Sequence, residues 1–115
     1  MKTAPTLSVL DLGQLRNVTL DDETLMREVL NALVDDASQQ IEELQRAVGR
    51  ADMGECVRVA HGAQGACGNV GAASMAALFC SVAHHAEAGD FTQCGSFVED
   101  LSVELEKLRA EANSI

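Results

Sequence analysis

His61 opens the run His61-Gly62-Ala63-Gln64-Gly65-Ala66-Cys67-Gly68-Asn69-Val70-Gly71, in which glycine returns at every third position after the histidine. Two chemistries fit these letters. A glycine loop can wrap a phosphate with backbone N–H groups, or a helix can present an imidazole nucleophile beside a surface cleared of side chains. The phosphate loop ends in Gly-Lys-Ser/Thr and the dinucleotide fingerprint follows a strand, and the run has neither. Wound as a helix at about 100° per residue, the segment is orderly. Cys56, Val59, Ala63, Ala66, Cys67 and Val70 then fall within about 60° of the point opposite His61, a small apolar stripe that can pack. Gly65 and Gly68 fall about 40° and about 20° from His61, one and two turns further on.

The helix carries a cost. Each interior glycine is about 1 kcal/mol worse than alanine, so Gly62, Gly65 and Gly68 together forfeit about 3 kcal/mol, a sizeable share of a small domain's stability. A requirement other than folding must retain at least some of them. Clearance beside His61 is such a requirement, because it lets a docked protein bring a reactive group to the imidazole. Gly62, about 100° round the helix, has no such explanation. An exposed imidazole titrates near pH 6.5, so at pH 7 most of it is neutral and one ring nitrogen keeps a lone pair that can attack phosphorus. The phosphoramidate so formed is labile enough to pass its phosphoryl group to a carboxylate. No metal ligand set and no acid–base partner stand near His61 in the sequence, so a docked partner must supply most of the catalytic groups and no cofactor is expected.

The elements that carry this run read as helices throughout. Asp11 is placed to cap a short helix reaching Val18, with Leu12 and Leu15 apolar. After the acidic start Asp21-Asp22-Glu23, the apolar residues Leu25, Val29, Leu33, Ile41, Leu44 and Val48 predict one long amphipathic helix ending at Gly49. The His61 helix spans Asp52 to Val70 and Gly71 closes it. Met75, Leu78, Phe79, Val82 and Ala86 share a face up to Gly89, and Phe97, Leu101, Leu105 and Leu108 share another in the last segment. Strand-like alternation is missing. With short turns at 49–51, 71–73 and 89–92, the expectation is an all-α, up-down four-helix bundle with a short additional N-terminal helix. One domain is expected over residues 1–115, with 1–7 flexible.

Composition removes several classes of function. The formal charge is −10 and the only lysines are Lys2 and Lys107, which argues against a grip on nucleic acid or anionic membrane. No stretch has membrane-spanning length and no signal peptide is evident, so a cytoplasmic monomer with a protein partner is expected. Cys56, Cys67, Cys80 and Cys94 are 11, 13 and 14 residues apart, unlike zinc or redox motifs, and read as buried free thiols. Cys80 and His84 form an i, i+4 pair, but two ligands leave a metal site incomplete. His84 and His85 point about 100° apart, and the acidic pairs Asp35-Asp36 and Glu42-Glu43 read as solvated faces.

Ala60-His61-Gly62-Ala63-Gln64-Gly65, followed by small residues and Gly71-Ala72, resembles the signature of the histidine-containing phosphotransfer (HPt) family, and the order of segments is similar over nearly the whole chain. The resemblance implies a phosphorelay intermediate: His61 accepts a phosphoryl group from a receiver-domain aspartate and donates it to another. The partners implied are receiver domains of response regulators or of a hybrid histidine kinase, and the protein is a carrier rather than an enzyme. The residues expected to dock a partner are Gly65 and Gly68, which clear the ground beside His61, together with Val57 and Asn69. The family usually has lysine three residues after the histidine, where this chain has Gln64, and often Gln or Glu 22 residues after it, where this chain has Ala83. Arg58, one turn before His61, is a candidate to replace the missing lysine beside Gln64. A docking module that binds a receiver domain without being phosphorylated is the alternative.

Overall fold

A computed structural model describes residues 8–115, so the expected flexibility of residues 1–7 lies outside the described residues. Five helices follow one another: α1 (Leu12–Thr19), α2 (Glu23–Gly49), α3 (Met53–Val70), α4 (Ala73–Glu87) and α5 (Phe91–Asn113). Helix α2 packs on α3 and α5, and α4 packs on the same two, so the four long helices close a ring in up-down order while α1 lies across α2 and α3. The expected bundle with its short N-terminal helix is present.

Aspartate starts most of these helices. Asp11, Asp22, Asp52 and Asp90 each accept a backbone N–H from the residue three further on at 3.1 Å, satisfying a donor that the first turn leaves unpaired. Helix α4 has Ala72 at its cap position and no side-chain cap. The Ser8 carbonyl accepts the Ser74 N–H at 3.0 Å instead, so the chain preceding α1 closes that helix end.

The core is filled by Leu30 and Leu44 of α2, Met75 and Phe79 of α4, Leu101 and Leu108 of α5, and Leu15 of α1, all without solvent exposure. Two faces are turned relative to the sequence expectation. In α2 the buried side is Met26, Leu30, Leu33, Val34, Ala37, Ile41, Leu44 and Ala47, with Leu25 39% exposed and Val29 and Val48 only half-buried. Leu33, Ile41 and Leu44 belong to both stripes, and Ala37 and Ala47 join the buried one, so its centre is turned by roughly 30° from the expected direction. In α3, Ala60 is buried and Ala66 exposed, because the buried face is rotated toward Ala60 by about 35° from the point opposite His61. Helix α5 also begins at Phe91, one residue before the expected turn ends.

Gly71 ends α3 in the left-handed region at φ +93°, and its N–H and that of Ala72 bond back to the Gly68 and Cys67 carbonyls. A Cβ at this position would stand 2.8 Å from the Asp11 carbonyl oxygen, while the Gly71 carbonyl accepts the Asp11 N–H at 2.8 Å. The α3–α4 turn and the start of α1 are therefore in backbone contact. Gly71→Ala is expected to lower stability by about 2 kcal/mol, from the left-handed conformation and the contact together, and urea unfolding of the two proteins measures it.

Candidate functional site

His61 lies in the middle of α3, exposed, next to the buried Ala60. No group among the described residues hydrogen-bonds its ring. The contrast is His85, whose Nδ1 sits 2.9 Å from the Ser81 carbonyl oxygen and whose ring lies against Phe97, tilted by 44° with centroids 5.1 Å apart. The flanking glycines are bare by choice of residue rather than by need of space. A Cβ at Gly62, Gly65 or Gly68 would meet nothing within 4 Å, so packing would accept alanine at all three. Gly54, two turns before His61 and about 20° from it round the helix, is also open, its nearest neighbour being an Asp52 oxygen at 3.9 Å. Between Gly54 and His61 stand Val57 and Arg58, about 40° and about 60° from the histidine round the helix, so the cleared lane runs from the imidazole toward Gly65 and Gly68.

The lane's far end is fixed by α1. Gln14 Nε2 donates to the Gly68 carbonyl at 2.6 Å, one of the last carbonyls of α3 and lacking a regular helical partner. Loss of that bond in Gln14→Ala is expected to cost about 1 kcal/mol and to loosen α1, read as faster hydrogen exchange at the end of α3.

The residues proposed to handle phosphoryl charge are differently placed. Gln64 is half-buried one turn after His61. Arg58 is already engaged: its Nε and Nη2 donate to the two Glu55 carboxylate oxygens at 2.9 and 2.7 Å, and Nη2 is 3.8 Å from Glu43 Oε2 on α2. The Arg58 hydrogen bond holds the Glu55 carboxyl below its ordinary value, and the carboxylate raises the guanidinium. Glu55 and Arg58 stand three apart and were legible as a helical pair; Glu43, on another helix, was not. Val57 is half-buried and Asn69 exposed. Ala83 is buried at 3% exposure, so that position offers no polar group to an imidazole.

Among the described residues, no group of three or more His, Cys, Asp or Glu side chains is placed to hold one metal ion. Cys80 and His84 are both exposed on α4. All four cysteines are free; Cys56, Cys67 and Cys94 are buried, whereas Cys80 is exposed, against the expectation of burial. Burial pushes the Cys67 thiol up to about 11. A thiol reagent such as dithionitrobenzoate is expected to modify one thiol, Cys80, in the folded protein and four after denaturation. No described helix is long and apolar enough to cross a membrane.

Comparison with known proteins bears on the family and the fold. The family model of the Hpt domain matches residues 28–111. The chain belongs to the Hpt domain family. A crystal structure of histidine-containing phosphotransfer protein B (HptB) from Pseudomonas aeruginosa PAO1 superposes on this Hpt domain with a TM-score of 0.86, covering 95% of each chain at 20% identity. At that identity the likeness establishes the helical bundle. Among curated proteins no match is found. Membership supports a histidine phosphotransfer role in a phosphorelay, in which Hpt domains interact with receiver domains.

Proposed function

We propose that this Hpt domain is a phosphoryl carrier whose acceptor is His61. The observation that carries the reading is an exposed, unbonded imidazole in a glycine lane that the fold itself does not require. A neutral ring nitrogen attacks the phosphorus of a receiver's aspartyl phosphate. The N–P bond forms as the P–O bond breaks, and the electron pair of that bond leaves with the aspartate carboxylate. The ring proton passes to solvent. In the reverse sense a second receiver's aspartate attacks the phosphorus, the O–P bond forms as the N–P bond breaks, and the ring takes a proton back from solvent so that neutral imidazole leaves with the electron pair. Gly65, Gly68, Val57 and Asn69 form the docking surface, and Gln64 and Arg58 contact the phosphoryl oxygens. Little else is asked of the chain, which acts as a single cytoplasmic domain and monomer without a cofactor, the receiver supplying the remaining chemistry.

The test is phosphoryl transfer from a radiolabelled, phosphorylated receiver domain. Label that appears on this chain, is lost in acid and survives alkali marks a phosphohistidine. Absence of label from every receiver that binds the chain would overturn the reading. The buried methyl of Ala83 and the neutral Gln64 favour a second reading, a docking module that occupies a receiver without accepting phosphate. It predicts tight binding of a receiver with no label at any time.

A further inference from the structure

We propose that Glu55 and Glu43 form a carboxylate clamp that withholds Arg58 from the phosphoryl site, and that phosphorylation of His61 draws the guanidinium out of it. This inference rests on His61 being the acceptor. Arg58 is held by both Glu55 oxygens on its own helix and approached by Glu43 from α2, so the cluster has two carboxylates for one cation. Its side chain remains 64% exposed, which leaves the guanidinium free to turn. Arg58 stands three residues before His61, a spacing that places two side chains on neighbouring turns with Cβ atoms about 5 to 6 Å apart. An arginine side chain spans that gap.

The direction of the exchange follows from charge. A phosphoryl group on nitrogen carries close to two negative charges and three acceptor oxygens, and a guanidinium can meet two of them at once. Glu55 offers a single negative charge in the same fork geometry. Before phosphorylation the carboxylates are the better partners, and afterwards the phosphoryl group competes with them. The acidic pair therefore weakens the hold on phosphate and keeps the carrier poised to give it up. Family position three after the histidine is neutral here, so Arg58 is the basic side chain within one turn of His61 on α3. Its availability sets how strongly this surface holds the group.

Small-molecule phosphorylation separates this from partner binding. Phosphoramidate delivers its phosphoryl group to the imidazole as the donor N–P bond breaks and ammonia leaves with the proton the ring gives up. Wild type, Glu55→Gln, Arg58→Ala and Glu55→Gln/Arg58→Ala are phosphorylated this way, and phosphohistidine decay is followed by phosphorus NMR. Glu55→Gln should lengthen the half-life about threefold to fivefold, the scale of an exposed ion pair. The double variant should match Arg58→Ala, and Arg58→Lys on the Glu55→Gln background should retain part of the gain. The Arg58 Nε–H resonance should move on phosphorylation of the wild type. Equal lengthening with and without Arg58, or an unmoved resonance, overturns the clamp while leaving His61 as acceptor. Failure of the wild type to take phosphate at His61 removes the carrier reading itself.

Discussion

His61→Gln is expected to fold with unchanged stability and to carry no phosphoryl group. Both halves follow from where the residue sits. The ring is exposed, has no hydrogen bond among the described residues and lies outside the apolar core, so its removal opens no cavity and strands no polar group. Glutamine keeps a polar side chain and a good helix former at the position, and the melting temperature should move by no more than about 2 °C. The amide nitrogen of glutamine is conjugated with its carbonyl and has no lone pair available to phosphorus, so loss of transfer should be complete rather than partial. The measurement is radiolabel on wild type and variant after incubation with a phosphorylated receiver. Label on the wild type separates the two functional readings: label that the variant loses while binding the receiver as before fits a carrier, and receiver binding by both proteins with no label on either fits a docking module. Label that persists on His61→Gln would move the acceptor to His84 or His85.

Much of this could be read from the residues alone, for a local reason. Helices announce themselves in spacings of three and four, four of their starts in Asp11, Asp22, Asp52 and Asp90, and the ends of α2, α3 and α4 in Gly49, Gly71 and Gly89, all of which are short-range signals. The exposure of His61 and of Gly65 and Gly68 is a matter of angle round one helix and was equally legible. What escaped depends on which helix lies opposite. The buried faces of α2 and α3 are turned by an alanine here and a neighbour there, and an alanine such as Ala37, Ala47 or Ala60 gives no apolar signal strong enough to set a face. The Gln14 bond to the Gly68 carbonyl joins residues 54 apart, and the approach of Asp11 to Gly71 joins two turns. Neither leaves a trace in spacing. The clamp on Arg58 is mixed, since the Glu55 arm is a helical i, i+3 pair and the Glu43 arm reaches across from α2.

Gly65→Leu tests the lane directly, because stability and transfer are expected to move in opposite directions. In the folded chain a side chain at this position points into open solvent, a Cβ meeting nothing within 4 Å, and leucine replaces the poorest non-proline helix former with one of the best. Stability should rise by about 0.8 kcal/mol, measured as a higher urea midpoint with an unchanged slope. Transfer should fall roughly a hundredfold, equivalent to about 2.7 kcal/mol of barrier, because the isobutyl group stands one turn from the imidazole where an incoming aspartyl phosphate must approach in line. Gly65→Ala is the graded control: the same backbone benefit with one methyl of obstruction should give nearly the same gain in stability and a far smaller loss of rate. Phosphoramidate completes the argument, since a donor of a few atoms can pass a leucine that a receiver domain cannot. Its reaction with His61 should slow much less than transfer from the receiver. Equal slowing with both donors would mean that leucine disturbs the imidazole itself, and unchanged receiver transfer would mean that the glycines beside His61 are retained for a reason other than clearance.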